Sequence, residues 1–136
     1  MASVLYLVNN TTQTVLENGT IVPGTVVHRN CQSQATLSGN SINIVGTGYF
    51  NVDVSVTLAG SEAGNAVIQL YKDGTAILGA TGTQTITTAS TEYRTISFST
   101  EILRQCACTG PTSITLVNTG IGITAINVAI RIKRDA

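Results

Sequence analysis

The chain has 136 residues, 43% hydrophobic and only 10% charged, with seven Lys plus Arg against seven Asp plus Glu and one His. Zero net charge supplies no positive field for a polyanion, which argues against nucleic acid or an anionic membrane as partner. With no Trp and 4% aromatics there is little to stack on bases or sugars, and a single His leaves little for acid–base chemistry.

The polar surface must come from 22 Thr, 10 Ser and 10 Asn. The length suits one domain over residues 1–136. The N-terminus lacks a basic segment followed by a long apolar core, so it is not a secretory signal. No run reaches the ~18–20 apolar residues that a membrane helix needs. The chain is therefore expected to be made in the cytoplasm, where the sequons at Asn9, Asn10 and Asn18 stay unmodified.

In chain order, β-branched residues dominate and favour strands. The first are expected at 4–8, 24–29 and 41–45. The clearest alternation runs over 49–58: Phe50, Val52, Val54, Val56 and Leu58 point one way, Asn51, Asp53, Ser55 and Thr57 the other. That is a strand with one buried and one wet face. A strand at 66–72 ends in Asp73-Gly74, a two-residue hairpin signal, and 75–78 returns from it. Further strands are expected at 84–87, 93–99, 113–117 and 125–133, with Glu101-Ile102-Leu103-Arg104 as a single helical turn between two of them. In the last strand Ile126, Val128, Ile130 and Ile132 form the expected core face, and Ala125, Asn127, Ala129 and Arg131 the other. About ten short strands punctuated by 13 Gly read as an all-β sandwich or barrel.

The segment Gly48-Tyr49-Phe50-Asn51-Val52-Asp53-Val54-Ser55-Val56 resembles the central strand of the tumour-necrosis-factor-like (TNF-like) and complement-q-like globular heads. Val67-Ile68-Gln69-Leu70-Tyr71-Lys72-Asp73-Gly74 resembles the strand and turn that follow it in those families. The resemblance spans most of residues 40–133 and implies a ten-stranded antiparallel jelly roll that packs as a homotrimer about a threefold axis. The opening from Val4 to Val15 and the segment Arg104-Gln105-Cys106-Ala107-Cys108 resemble small Firmicutes phage and prophage structural proteins. Related domains also cap collagen-like spore-surface filaments, but this chain has no collagen stalk. The resemblance implies a virion protein assembled in the bacterial cytoplasm: a capsid decoration protein on the major capsid protein, or a head-fibre tip.

Chemistry-bearing residues are few. His28 and Cys31 (H-x-x-C) with Cys106 and Cys108 (C-x-C) have the ligand types of a tetrahedral zinc site. His28 and Cys31 have opposite strand parity, however, and C-x-C is not a zinc-finger spacing. A disulfide from Cys31 to Cys106 or Cys108 is a second reading, and small buried thiols a third. No metal or other cofactor is expected. His28 has no nucleophile motif beside it, so no enzyme is expected either. Asp73-Gly74 lacks the repeated carboxylates of a calcium loop, and Gly46-Thr47-Gly48 and Gly120-Ile121-Gly122 open no phosphate-binding helix; all three read as turns.

The low-charge surface is the remaining candidate, because it carries little charge to desolvate on association. Asn127, Ala129 and Arg131, with Tyr49, Tyr71 and Tyr93, are the expected interface residues. The alternative is a receptor- or glycan-binding head of a phage fibre or bacterial surface filament. Its site would lie in loops 9–18, 61–65 and 79–84, which contain no aromatic residue.

Overall fold

The computed structural model describes residues 4–29, 35–104 and 110–134. They hold eleven strands: β1 (Val4–Asn9), β2 (Gln13–Val15), β3 (Thr25–Arg29), β4 (Ala35–Ser38), β5 (Ser41–Ile44), β6 (Gly48–Gly60), β7 (Gly64–Lys72), β8 (Thr75–Ile86), β9 (Tyr93–Arg104), β10 (Thr112–Asn118) and β11 (Ile123–Arg134). All paired strands are antiparallel and lie in two sheets. The first has the order β3-β1-β11-β6-β9, with β2 beside β11 beyond the end of β1; the second is β4-β5-β10-β7-β8. This is the all-β jelly roll expected from the sequence.

Alternation builds the core. Phe50, Val52, Val54, Val56 and Leu58 of β6 are all buried, as their period-2 spacing predicts. They face Ile68 and Leu70 of β7 and Ile114 and Leu116 of β10 in one continuous apolar cluster. Each such side chain contributes roughly 1.5–3 kcal/mol relative to exposure.

Two buried polar side chains extend the inward alternation of their strands. Asn118 ends β10 at 0% exposure, and Arg104 ends β9 at 5%. Arg104 donates from Nε to Thr112 Oγ1 (3.2 Å), from Nη1 to the Gly46 carbonyl (3.2 Å) and from Nη2 to the Gly110 carbonyl. The sandwich closes along β8 and β9, where Gly82 lies so near Ile96 that a Cβ would sit 2.4 Å from its Cγ2. Gln84 Nε2 reaches the Thr95 carbonyl there at 3.3 Å.

Several expectations are corrected. Glu101 to Arg104 is the end of β9, not a helical turn; it pairs with Asn51 to Gly48 of β6 and continues the alternation with Ile102 buried. The segments 75–78 and 84–87 are one strand, β8, so 79–84 is not a free loop. β2 and β4 were not expected; at three and four residues they are too short to show a period. In β11, Ala125 is buried and Ile126 half-buried, the reverse of the expected faces there. A bulge between Ala125 and Asn127 inserts Ile126 and switches the parity, so Ile123 and Ala125 point inward before it and Val128, Ile130 and Ile132 after it. The Asp73-Gly74 hairpin is as expected, with both residues at positive φ (51° and 82°).

The turn from β8 to β9 carries one perturbed acid. Glu92 accepts from Thr87 Oγ1 at 2.6 Å, from the Thr87 amide at 3.2 Å and from Arg94 Nε at 3.2 Å. Bonds from Thr87 first, then Arg94, hold its carboxyl below the usual range. A lowered folded value stabilises the turn above the ordinary carboxylate range, and that contribution is lost as pH falls through the lowered value. NMR titration of Glu92 is expected to give a midpoint below that of an exposed glutamate; a midpoint at or above it would sink this assignment.

Candidate functional site

The first sheet turns one face to the core and the other outward. Because its registers align, the outward side chains form rows across the strands. One row runs His28, Tyr6, Arg131, Asp53, Ser99 from β3 to β9. The next runs Val8, Ala129, Ser55, Ser97, and a third Val4, Lys133, Asn51, Glu101. Beyond the bulge, Thr57 and Thr95 are bonded hydroxyl to hydroxyl at 3.0 Å.

Small side chains at Ala129, Ser55 and Ser97 leave a hollow of about 500 Å³, walled by Tyr6 and Arg131. A second depression of about 490 Å³ adjoins it, sharing Asp53, Ser99 and Arg131 and extending to Asn51 and Lys133. The face thus grades from apolar and small to polar. Its central charges face each other, with Arg131 Nη1 4.0 Å from Asp53 Oδ2, both about half exposed. An exposed pair of this kind contributes under ~1 kcal/mol to stability. It also leaves no lone charge in the middle of the face.

The expected interface residues do not all converge. Ala129 and Arg131 line the hollow, and Asn127 lies next to them on the outward face. Tyr49 is exposed opposite Leu103, at the β9 end of the same face. Tyr71 lies on β7 in the other sheet, and Tyr93 sits at the start of β9 opposite Ala59. Residues that the sequence reading did not single out as interface complete the hollow: Tyr6, Ser55 and Ser97, with Asp53 paired to Arg131. The alternation showed which side of each strand they occupy; the pairing that brings four strands side by side is not a local signal.

His28 stands on the exposed edge strand β3 with its ring 5.5 Å from that of Tyr6, tilted by 45°. Cys31, Cys106 and Cys108, which complete the metal and disulfide readings, lie outside the described residues. Among the described residues no group of three or more His, Cys, Asp or Glu is placed to hold a metal ion. Among them, too, no helix is long and apolar enough to cross a membrane.

No protein-family model matches the sequence, and no curated protein matches it. Solved structures do. Murine APRIL superposes with a TM-score of 0.74 at 12% identity, covering 99% of this chain and 100% of that one. Eiger TNF from S. frugiperda gives 0.70 at 13%, covering 100% and 92%. The globular domain of zebrafish complement 1qA gives 0.65 at 5%, covering 95% and 94%. A PRD1 vertex protein gives 0.60 at 14%, covering 98% and 97%. At such identities the likeness is one of fold, and it extends over nearly the whole of each chain. The eleven strands of the described residues, in two antiparallel sheets, share the jelly-roll fold of these TNF-like and complement-q-like structures.

Proposed function

We propose that this chain is a non-enzymatic, single-domain structural head over residues 1–136 that assembles as a homotrimer and serves as a virion protein, decorating the capsid exterior through the major capsid protein. The observation that carries the reading is the outward face of the first sheet. Four strands present small and hydroxyl-bearing side chains around a hollow whose two charges face each other, a surface that costs less to desolvate than one with a lone charge. Among the described residues β3 pairs with β1 alone and forms the edge of its sheet, with all five residues exposed, including Val26 and Val27. Such an edge calls for cover. The likeness in fold to a PRD1 vertex protein supports a place on a virion, and the likeness to TNF-like and complement-q-like heads supports the trimer. The mechanism is surface complementarity: a trimer spanning neighbouring coat subunits would clamp them without chemistry.

Light scattering after size-exclusion chromatography is expected to give about 42 kDa, three chains of 14.1 kDa. Ala129→Arg, which puts a bulky charge into the hollow, is expected to return the chain to 14.1 kDa. The trimer should co-sediment with capsids of its own virion and Ala129→Arg should not. A wild-type chain that stays at 14.1 kDa at every concentration sinks the reading.

A second reading rests on a specific feature. Tyr6 beside Asp53, Ser97, Ser99 and Arg131 gives the hollow the aromatic ring and polar groups that a glycan or receptor site needs, on the sheet rather than in the loops. A glycan array probed with the protein, with Tyr6→Ala as control, separates it: Tyr6-dependent binding to defined glycans would favour this reading.

A further inference from the structure

β8 is the edge strand of the second sheet, and its ladder with β7 is broken once. Gln69 pairs with Thr81 and Tyr71 with Ala76, so Leu70 alone faces Ile77, Leu78, Gly79 and Ala80. The bulge is braced rather than slack. Gln69 Nε2 donates to the carbonyls of Leu70 (2.9 Å), Ile77 (2.8 Å) and Ala80 (3.1 Å). Gly79, at φ +82°, makes the reversal. Ala80 is fully buried and Ile77 packs against the core, which leaves Leu78 at the tip with 96% of its surface exposed.

A bulge by itself protects an edge from pairing, and the residue such edges usually display is charged. Protection therefore explains the bulge but not the leucine. Its flanks explain no charge contact either, since 75–86 contains no charged residue. The hollow on the first sheet offers the leucine a seat: lined by the Tyr6 ring and the Ala129 methyl, floored by small side chains, and about 500 Å³ in volume. Leu78, being almost wholly exposed, does not fill the hollow of its own chain.

We propose that Leu78 is a docking knob that seats in the hollow between Tyr6, Ser55, Ser97 and Ala129 of a second copy of this chain. The contact rests on the self-association reading and specifies it. It joins two different surfaces, so each chain offers a knob to one neighbour and a hollow to the other, and a threefold ring closes the series. Seating an apolar side chain there would desolvate the Asp53–Arg131 pair together, which costs less than burying a lone charge.

The test uses the full chain. Because Leu78 is exposed, Leu78→Asp and Leu78→Ala are expected to keep the wild-type circular dichroism, and the wild-type melting temperature at concentrations where all three chains are monomeric. In a light-scattering dilution series, Leu78→Asp should move the trimer–monomer midpoint to at least about tenfold higher concentration, with Leu78→Ala between it and wild type. A photo-crosslinking benzoylphenylalanine at position 78 should join a second chain, at the peptide carrying Ser55 or the one carrying Ala129. A wild-type trimer whose midpoint Leu78→Asp leaves unchanged, or crosslinks that fall on other peptides, overturns the docking contact and leaves the trimer standing. A wild-type chain that is monomeric throughout overturns the trimer and this contact with it.

Discussion

Replacing Asn118 by Leu is expected to lower the unfolding free energy by about 3–5 kcal/mol, although the two side chains have the same number and branching of heavy atoms. Asn118 is fully buried at the end of β10, where strand alternation calls for a hydrophobe. Its Nδ2 donates to the carbonyls of Ile121 (2.8 Å) and Val15 (3.1 Å), and at 3.4 Å to that of Leu16. Its Oδ1 accepts from the Gly120 amide at 3.1 Å. One side chain thus ties the end of β2 to the turn that leads into β11. Leucine would strand these backbone groups without water, at ~1–3 kcal/mol for each buried group left unsatisfied.

Asn118→Asp should cost more at neutral pH, because it points a carboxylate oxygen at carbonyls that need a donor. Burial raises the folded pKa of an acid placed there. The folded state then holds a proton that the unfolded chain has released, so stability should fall as pH rises through the neutral range and recover on mild acidification. Urea unfolding at two pH values reads both effects. A leucine variant within about 1 kcal/mol of wild type would show that the hub carries no structural energy.

Gly24→Ala is expected to be nearly as damaging, about 3 kcal/mol or more, from the addition of one carbon. Gly24 has φ +97°, a conformation that side-chain-bearing residues rarely adopt, and a Cβ built there would lie 2.3 Å from the Val8 carbonyl oxygen and 2.5 Å from the Asn9 Cβ. The backbone cannot retreat freely. Val22 is held over the end of β1 by Asn9 Nδ2 at 3.0 Å and by the Gln13 side-chain amide, which bonds both its carbonyl and its amide. The cheapest relief is to detach β3, which would uncouple His28 from Tyr6 and strip the edge from the outward face. Hydrogen exchange should therefore show residues 25–29 losing protection first, together with a lower melting temperature. Wild-type exchange in β3 would mean that the close approach at Gly24 is not needed.

The sequence by itself determined a good deal. Alternation over residues 49–58 selected the buried face of β6 correctly to the last residue, because a strand has a side-chain period of two and one wet face makes that period visible. Asp73-Gly74 fixed its hairpin, since both positions need positive φ. The short motifs around Gly48 and Val67 were enough for the jelly-roll family resemblance, and the fold agrees.

What stayed hidden depends on contacts between segments far apart in the chain. The bulge at Ile126 reversed the faces of β11 at Ala125, and a bulge is set by the partner strand rather than by local composition. Asn118 read as one of ten asparagines until Val15 and Ile121 were placed around it. Tyr6 and Ser55 are 49 positions apart in sequence, yet they line one hollow because β11 pairs with β1 on one side and β6 on the other. Pairing partners follow from the closure of the whole sandwich, so the candidate surface was decided by tertiary structure, while the strands that carry it were legible one at a time.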